Sequence, residues 1–264
     1  MNEIDLTKAE KEFEIYTNLF MVNNPDENNK GKIQLKIEHT YRVEKLCIEI
    51  AKWLGLSEEH INLAGLVGLL HDIGRFEQLK RYNTYNDRES IDHADFGEEL
   101  LMKDGLIRKF IKKDTYDRII SNAVKFHNKY NIPENLTDPD LMYLKIVRDA
   151  DKIDILNLLR YKDFRLLYKN PNFEGEKVSD KVFNTFLKHK TINFKDMETT
   201  LDRWTMSFAF PFDINYSYSL KVIKENDYIN ELIDRVKYKD PETKQRIEII
   251  RKEIIEYIET KIKQ

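Results

Sequence analysis

The chain has 264 residues, with 44 Lys or Arg against 47 Asp or Glu, so its formal net charge is −3. That near balance excludes a protein that coats polyanions by counterion release, although localised phosphate binding is compatible with it. With 34% charged and 41% hydrophobic residues the chain is too polar to be embedded in a membrane and apolar enough to build a core.

The first residues, Met1-Asn2-Glu3-Ile4-Asp5, carry acids where a secretory signal carries bases, and no apolar stretch follows, so a cytoplasmic protein is expected. Only 8 glycines and 6 prolines punctuate the sequence, and apolar residues recur at steps of three and four rather than alternating. An all-α fold follows from that pattern. Thr7 and Glu10 have capping-box spacing for a first helix ending near Val22, and the Asn-, Pro- and Gly-containing stretch from Asn23 to Gly31 reads as a loop. A second helix is expected from about Ile33 to Leu54, with Ile37, Val43, Leu46, Cys47, Ile50, Ala51 and Leu54 inward and Gly55 as its stop. The single cysteine, Cys47, cannot build a disulfide framework and reads as a small core hydrophobe.

Ser57 is placed to cap a third helix whose residues Ile61 to Leu70 are apolar almost all round, far short of the roughly twenty that a bilayer requires. It delivers His71 and Asp72 from the core, and Ile73-Gly74 offers a break. Helices near His93–Lys103, Thr115–Lys129 and Pro139–Tyr161 follow, the last with Asp138 as cap and Pro139 in the first turn. Beyond residue 165 come loops around Pro171 and Pro211, aromatics from Trp204 to Phe212 that read as packing, and helices near Tyr216–Tyr238 and Pro241–Lys263. The last has Ile247, Ile250, Ile254 and Ile258 on one stripe, suited to the core or to a second subunit. No repeat or linker compels a second domain, so residues 1–264 read as a single helical domain with a C-terminal extension over about 165–264.

His39, His71, His93 and His127 all fall on or beside apolar helical stripes, as do Asp72 and Asp151. Burying such groups is costly unless they are paired or bound to a metal. Imidazole with carboxylate suits a divalent ion such as Mn, Fe, Zn, Co, Ni or Mg, and the lack of clustered cysteine disfavours a structural zinc. His60, in a first helical turn, and His189, between two lysines, are expected to be exposed.

Three motifs carry a resemblance: His39-Thr40-Tyr41-Arg42-Val43, His71-Asp72-Ile73-Gly74-Arg75, and Asp149-Ala150-Asp151-Lys152-Ile153-Asp154. In this order they resemble the HD-domain superfamily of metal-dependent phosphohydrolases, over a core of about 33–161. His93 in Asp92-His93-Ala94-Asp95 and His127 in Phe126-His127 resemble the extra histidines of its dinuclear branch, although His127 is followed by Asn128 where that branch often carries a second histidine. The resemblance implies an HD-like helical bundle with one ion held by His39, His71, Asp72 and Asp151, and a second by Asp72, His93 and His127. It implies hydrolysis of a phosphoester or phosphoanhydride in a nucleotide or other small phosphorylated metabolite, by water activated on the metal, with Asp72 and Arg75 in catalytic positions.

The planar fork of Arg75 suits a phosphate, or else pairs with a carboxylate such as Glu77 or Glu99. Lys125, Lys129 and Lys152 are further phosphate-binding candidates, Asp154 is placed to orient a ligand, and the Tyr82–Arg88 segment is a candidate substrate-facing loop. The rival readings are a dinuclear iron oxygenase of the same fold and a nucleotide sensor with little turnover. No membrane span and no extended nucleic-acid surface is expected, and a homo-oligomer through the C-terminal helices is open.

Overall fold

A computed structural model describes residues 3–168 and 170–264. Met1 and Asn2, part of the N-terminal stretch considered above, lie outside the described residues, as does Lys169. Among the described residues every regular element is helical, and none of the helices is long and apolar enough to cross a membrane. The chain divides into two compact units, residues 1–150 and 151–264.

The first unit contains α1 (Leu6–Val22), α2 (Glu27–Trp53), α3 (Glu58–Leu70), α4 (Gly74–Tyr82), α5 (His93–Met102), α6 (Ile107–Phe110) and α7 (Asp117–Phe126); α8 (Asp140–Leu159) begins in it and continues into the second. Helix α1 is capped by Asp5, which accepts from the Lys8 amide, rather than by Thr7. A carboxylate two residues earlier satisfies an orphan amide and also meets the positive end of the helix dipole. Helix α2 likewise starts six residues before its expected start, behind the cap of Asp26, and so takes up Gly31 and most of the expected loop. Tertiary contact supports that extra length: Asn29 is buried and its Nδ2 donates to Asn83 Oδ1 at 2.6 Å. Helix α8 opens at Asp140, one residue after Pro139, which has no amide hydrogen to give.

The pairing of α2 with α3 brings the first two histidines together. Leu54 closes α2, and Gly55 turns the chain back at φ +69°, a conformation that costs glycine little. Along the pair, Gly65 faces Ile48 and Gly68 faces Glu44 and Cys47, so the helices run in opposite directions. A Cβ on Gly68 would lie 2.8 Å from the Glu44 Cα; only glycine permits this approach. One more turn in the same register sets His71 beside His39, their ring centroids 5.4 Å apart. A second close approach occurs where α4 meets α5: a Cβ on Gly74 would lie 2.4 Å from the His93 carbonyl oxygen. Around these crossings Phe13, Tyr16 and Phe20 of α1 pack on Phe76 of α4, immediately after Arg75. Each such buried ring stabilises the packing by about 1.5–3 kcal/mol relative to exposure.

The second unit holds α9 (Phe164–Leu167), α10 (Asp180–Phe186), α11 (Thr200–Phe208), α12 (Ser217–Glu225), α13 (Tyr228–Asp234) and α14 (Pro241–Ile262). Trp204 is fully buried among Phe164, Phe173 and Phe208, as the packing reading required. The stripe Ile247, Ile250, Ile254 and Ile258 on α14 is buried. The helix expected over 216–238 is two helices, because Asp227 adopts a left-handed conformation at φ 53° between them.

Glu44 of α2 is buried and faces Glu10 of α1. Burial first, and then the facing carboxylate, push its pKa from 4.5 up to about 8. The folded state therefore holds a proton that the unfolded chain releases above 4.5, so this contribution to stability is complete below that pH and declines as pH rises towards 8. Glu44→Gln is expected to flatten the pH dependence of stability over that range and to be more stable than wild type at pH 8 by about 1–3 kcal/mol, measured by urea denaturation across the range. Equal slopes in the two proteins would refute the assignment.

Candidate metal centre

Two of the four clustered histidines end helices. His71 is the C-cap of α3 and His127 the C-cap of α7, the positions where unsatisfied carbonyls and the negative end of the dipole favour a cation. Each solves the local problem in the same way: Nδ1–H of His71 donates to the Gly68 carbonyl at 2.7 Å, and Nδ1–H of His127 donates to the Val124 carbonyl at 2.7 Å. A carbonyl only accepts, so each Nδ1 carries a proton and each ring turns its other nitrogen, Nε2, outward. This capping also explains why α7 stops at Phe126 and does not run to Lys129. His93 opens α5 next to its cap, Asp92, and its Nδ1 meets Asp87 Oδ2 at 2.7 Å.

All four Nε2 atoms converge on Asp72, in the turn between α3 and α4. Its Oδ1 lies 3.2 Å from His93 and 3.7 Å from His127, and its Oδ2 lies 3.5 Å from His71 and 3.6 Å from His39. The Nε2 atoms of His93 and His127 are 3.1 Å apart. Lone pairs facing one another and a carboxylate repel unless a proton or a metal ion lies among them. The donor set therefore fits a divalent cation: His71, Asp72 and His127 can offer ligand atoms within 4.8 Å of one another, all three buried. The two oxygens of Asp72 face different histidine pairs, an arrangement suited to bridging.

Burial opposes the charge on Asp72, but the Lys36 ammonium, 2.5 Å from Oδ2, with His71, His127 and His93, holds its carboxyl well below the usual range. Asp87 is also lowered, against its burial, chiefly by His93 and then Arg75 and Gln78. Its Oδ1 accepts from Arg75 Nη1 at 2.7 Å and Gln78 Nε2 at 2.8 Å while Oδ2 serves His93. Asp92, too, is occupied as a support: it caps Ala94 and Asp95 and binds Asn128 and Lys129. Arg148 of α8, 2% exposed, donates from Nη1 to the carbonyls of Phe126, His127 and Lys129, fixing the turn that aims His127.

Asp151 is the first residue of the second unit, partly buried, one residue beyond Ala150 on the continuous helix α8. Asp154, three residues further on, is buried. Lys152 pairs with Asp213 at 2.9 Å within the second unit, Lys125 faces Glu98 at 3.7 Å on the surface, and Lys129 is bound by Asp92 and Asp95. Arg75 does pair with carboxylates, but not with those expected: Glu77 takes Lys80 and Arg81, Glu99 takes Lys103, and Arg75 reaches Asp87 across the α4–α5 loop. The reason is that Arg75 points back towards the turn that holds Asp72, whereas Glu77 and Glu99 face solvent-side lysines and arginines. His60 is only partly exposed, its Nδ1 2.5 Å from the Tyr143 hydroxyl, because α3 lies close enough to α8 for its first turn to be covered. His189 is exposed as expected.

Lys36, Gln78, Asp87 and Arg148 were not singled out by the sequence. Lys36 precedes His39 by one turn on α2, and that spacing was the available signal.

Residues 37–156, a little under half of the chain, match the family model described as HD domain. Over that segment the chain is similar to the HD domain, an all-helical fold. No curated protein and no solved structure matches the chain significantly.

Asp87→Asn is expected to weaken binding of a divalent metal on the His93 and His127 side about 10- to 100-fold, since a ring nitrogen loses its anionic partner. Calorimetric titration with Mn²⁺ checks this, and unchanged affinity and stoichiometry would rule it out.

Proposed function

We propose that the chain is a metal-dependent phosphohydrolase acting on a small phosphorylated substrate, such as a nucleotide, in the cytoplasm. The observation that carries this reading is the convergence of four imidazole Nε2 atoms on the buried carboxylate of Asp72. In this reading His39, His71, Asp72 and Asp151 hold one ion, and Asp72, His93 and His127 hold a second. The place of Asp151 in the set rests on the motif and on its lying inside the matched HD segment.

When bound, a divalent ion supplies Lewis-acid polarisation of a phosphoryl oxygen and lowers the pKa of a water towards neutrality. The chain's own residues do the rest. Asp72 keeps its charge at neutral pH because Lys36 and the imidazoles hold it ionised. The carbonyls of Gly68 and Val124 keep His71 and His127 in the tautomer that presents Nε2 inward, so no rearrangement precedes binding. Arg75, with Nε 3.5 Å from Asp72 Oδ1 and without a hydrogen bond there, is assigned the contact to the phosphoryl group, and it is already immobilised by Asp87. Lys125 and Lys152 would have to leave Glu98 and Asp213 to serve the same role. Asp154, one turn from Asp151 on α8, is assigned the orientation of ligands, and self-association through α14 remains part of the proposal.

His71→Ala and Asp72→Ala are each expected to lose bound metal and at least 100-fold in hydrolysis of aryl phosphates, bis-aryl phosphates or nucleotides. Elemental analysis with a colorimetric phosphate assay reads both. Metal content and turnover that survive both substitutions would overturn the reading, and oxygen consumption by the iron-loaded protein without phosphate release would replace it with the oxygenase.

A further inference from the structure

The loop between α4 and α5 is folded tightly onto Arg75. Arg75 Nη1 donates to the Tyr85 carbonyl at 2.7 Å as well as to Asp87, and its guanidinium carbon lies 5.9 Å from the centroid of the Tyr85 ring. This fixes the Tyr85 side chain against the arginine that adjoins Asp72. Two buried donors are then left without an acceptor among the described residues: the Tyr85 hydroxyl and Arg75 Nε, which lies 3.5 Å from Asp72 Oδ1 without a hydrogen bond. Buried polar groups are nearly always satisfied, so an unsatisfied one calls for an explanation, and a ligand that completes it is one.

The chemistry of the pair defines the missing partner. Both groups donate; one carries a fixed positive charge 3.5 Å from the acid on which the histidines converge, and the other belongs to the ring packed against that arginine and feels the charge of the acid. Burial pushes the Tyr85 phenol up, with Arg75 opposing and the Asp72 charge adding to it, so the group stays an O–H donor at neutral pH. An anionic oxygen accepts from both; an apolar or cationic ligand cannot.

We propose that the Tyr85 hydroxyl contacts the substrate, donating together with Arg75 Nε–H to an oxygen of the bound phosphoryl group. The proposal rests on the phosphohydrolase reading and adds to it a neutral donor on the α4–α5 loop. Tyr85 is thereby a specificity determinant for a tetrahedral oxyanion, and the network of Arg75, Gln78, Asp87 and Ser90 has a second role besides holding His93: it presents the loop that carries the phenol.

The test is Tyr85→Phe in the full chain, with Mn²⁺ supplied equally to both proteins. Inorganic phosphate binding is read by calorimetry, p-nitrophenyl phosphate hydrolysis by absorbance, metal content by elemental analysis, and Tm by differential scanning calorimetry. Removing a hydroxyl that has no protein partner is expected to leave metal content unchanged and Tm unchanged or raised. Phosphate affinity is expected to fall about 10-fold and kcat/KM about 10- to 100-fold, as for loss of a donor to a charged oxygen. A purely structural role would instead lower Tm and leave phosphate affinity alone. Phosphate affinity and kcat/KM both within twofold of wild type would overturn the role of Tyr85 and leave the phosphohydrolase reading standing. A wild-type protein that binds Mn²⁺ but neither phosphate nor ester would overturn that reading and the proposal with it.

Discussion

Asp72 lies with 4% of its side chain exposed among four imidazole rings, three of which are anchored through Nδ1 so that Nε2 faces the carboxylate. Nitrogen and oxygen atoms so crowded repel one another, and the cost of holding them together in a buried place is large unless a proton or a cation is shared among them. The helical framework of the first unit follows from that requirement. Two helices end at the site, where their dipoles favour positive charge, and a third begins beside it behind an aspartate cap. His71 and His127 are each both a helix terminus and a ligand candidate, so the same hydrogen bond that satisfies the backbone fixes the proton on Nδ1.

That arrangement depends on backbones approaching more closely than side chains normally permit. Gly68 lets α3 lie against α2, and Gly74 lets the start of α4 lie against the start of α5. These two contacts fix His71 against His39 and His93 against the Asp72 turn. Beyond the ring of histidines, Asp87 joins loop, helix and site by dividing its two oxygens between Arg75 and His93. Arg148 performs a comparable service for His127 through three backbone carbonyls. The supports are thus as specific as the groups they orient, which is the usual condition for a site whose geometry must exist before the ligand arrives.

The candidate ligands were legible because ionisable residues on an apolar helical stripe are conspicuous. His39, His71 and His127 interrupt runs of buried aliphatics, and no surface explanation accounts for them. Asp87 was not legible, because a loop aspartate among Asn, Tyr and Arg has the composition of any solvated turn; only the fold of residues 83–92 back onto Arg75 gives it a role. Lys36 was obscured for a different reason, being one lysine among many on a charged face, distinguished solely by its 2.5 Å approach to Asp72. Two of the boundaries that shifted, at the start of α2 and in the middle of the 216–238 segment, are places where an aspartate decides: Asp26 by capping and Asp227 by its left-handed backbone.

The sequence by itself determined the helical class, the apolar stripe of each long helix and the set of histidines and acids that interrupt those stripes. Periodicity is a local property, and the price of burying an ionisable group is written in its neighbours along the chain. Only the tertiary structure decided which oxygen of Asp72 faces which histidine, that Arg75 is spoken for by Asp87, and that the Tyr85 hydroxyl ends without a protein partner. Those are contacts between residues brought together by helix crossings and a loop reversal, and their directions depend on rotamer and register, which no one-dimensional pattern encodes.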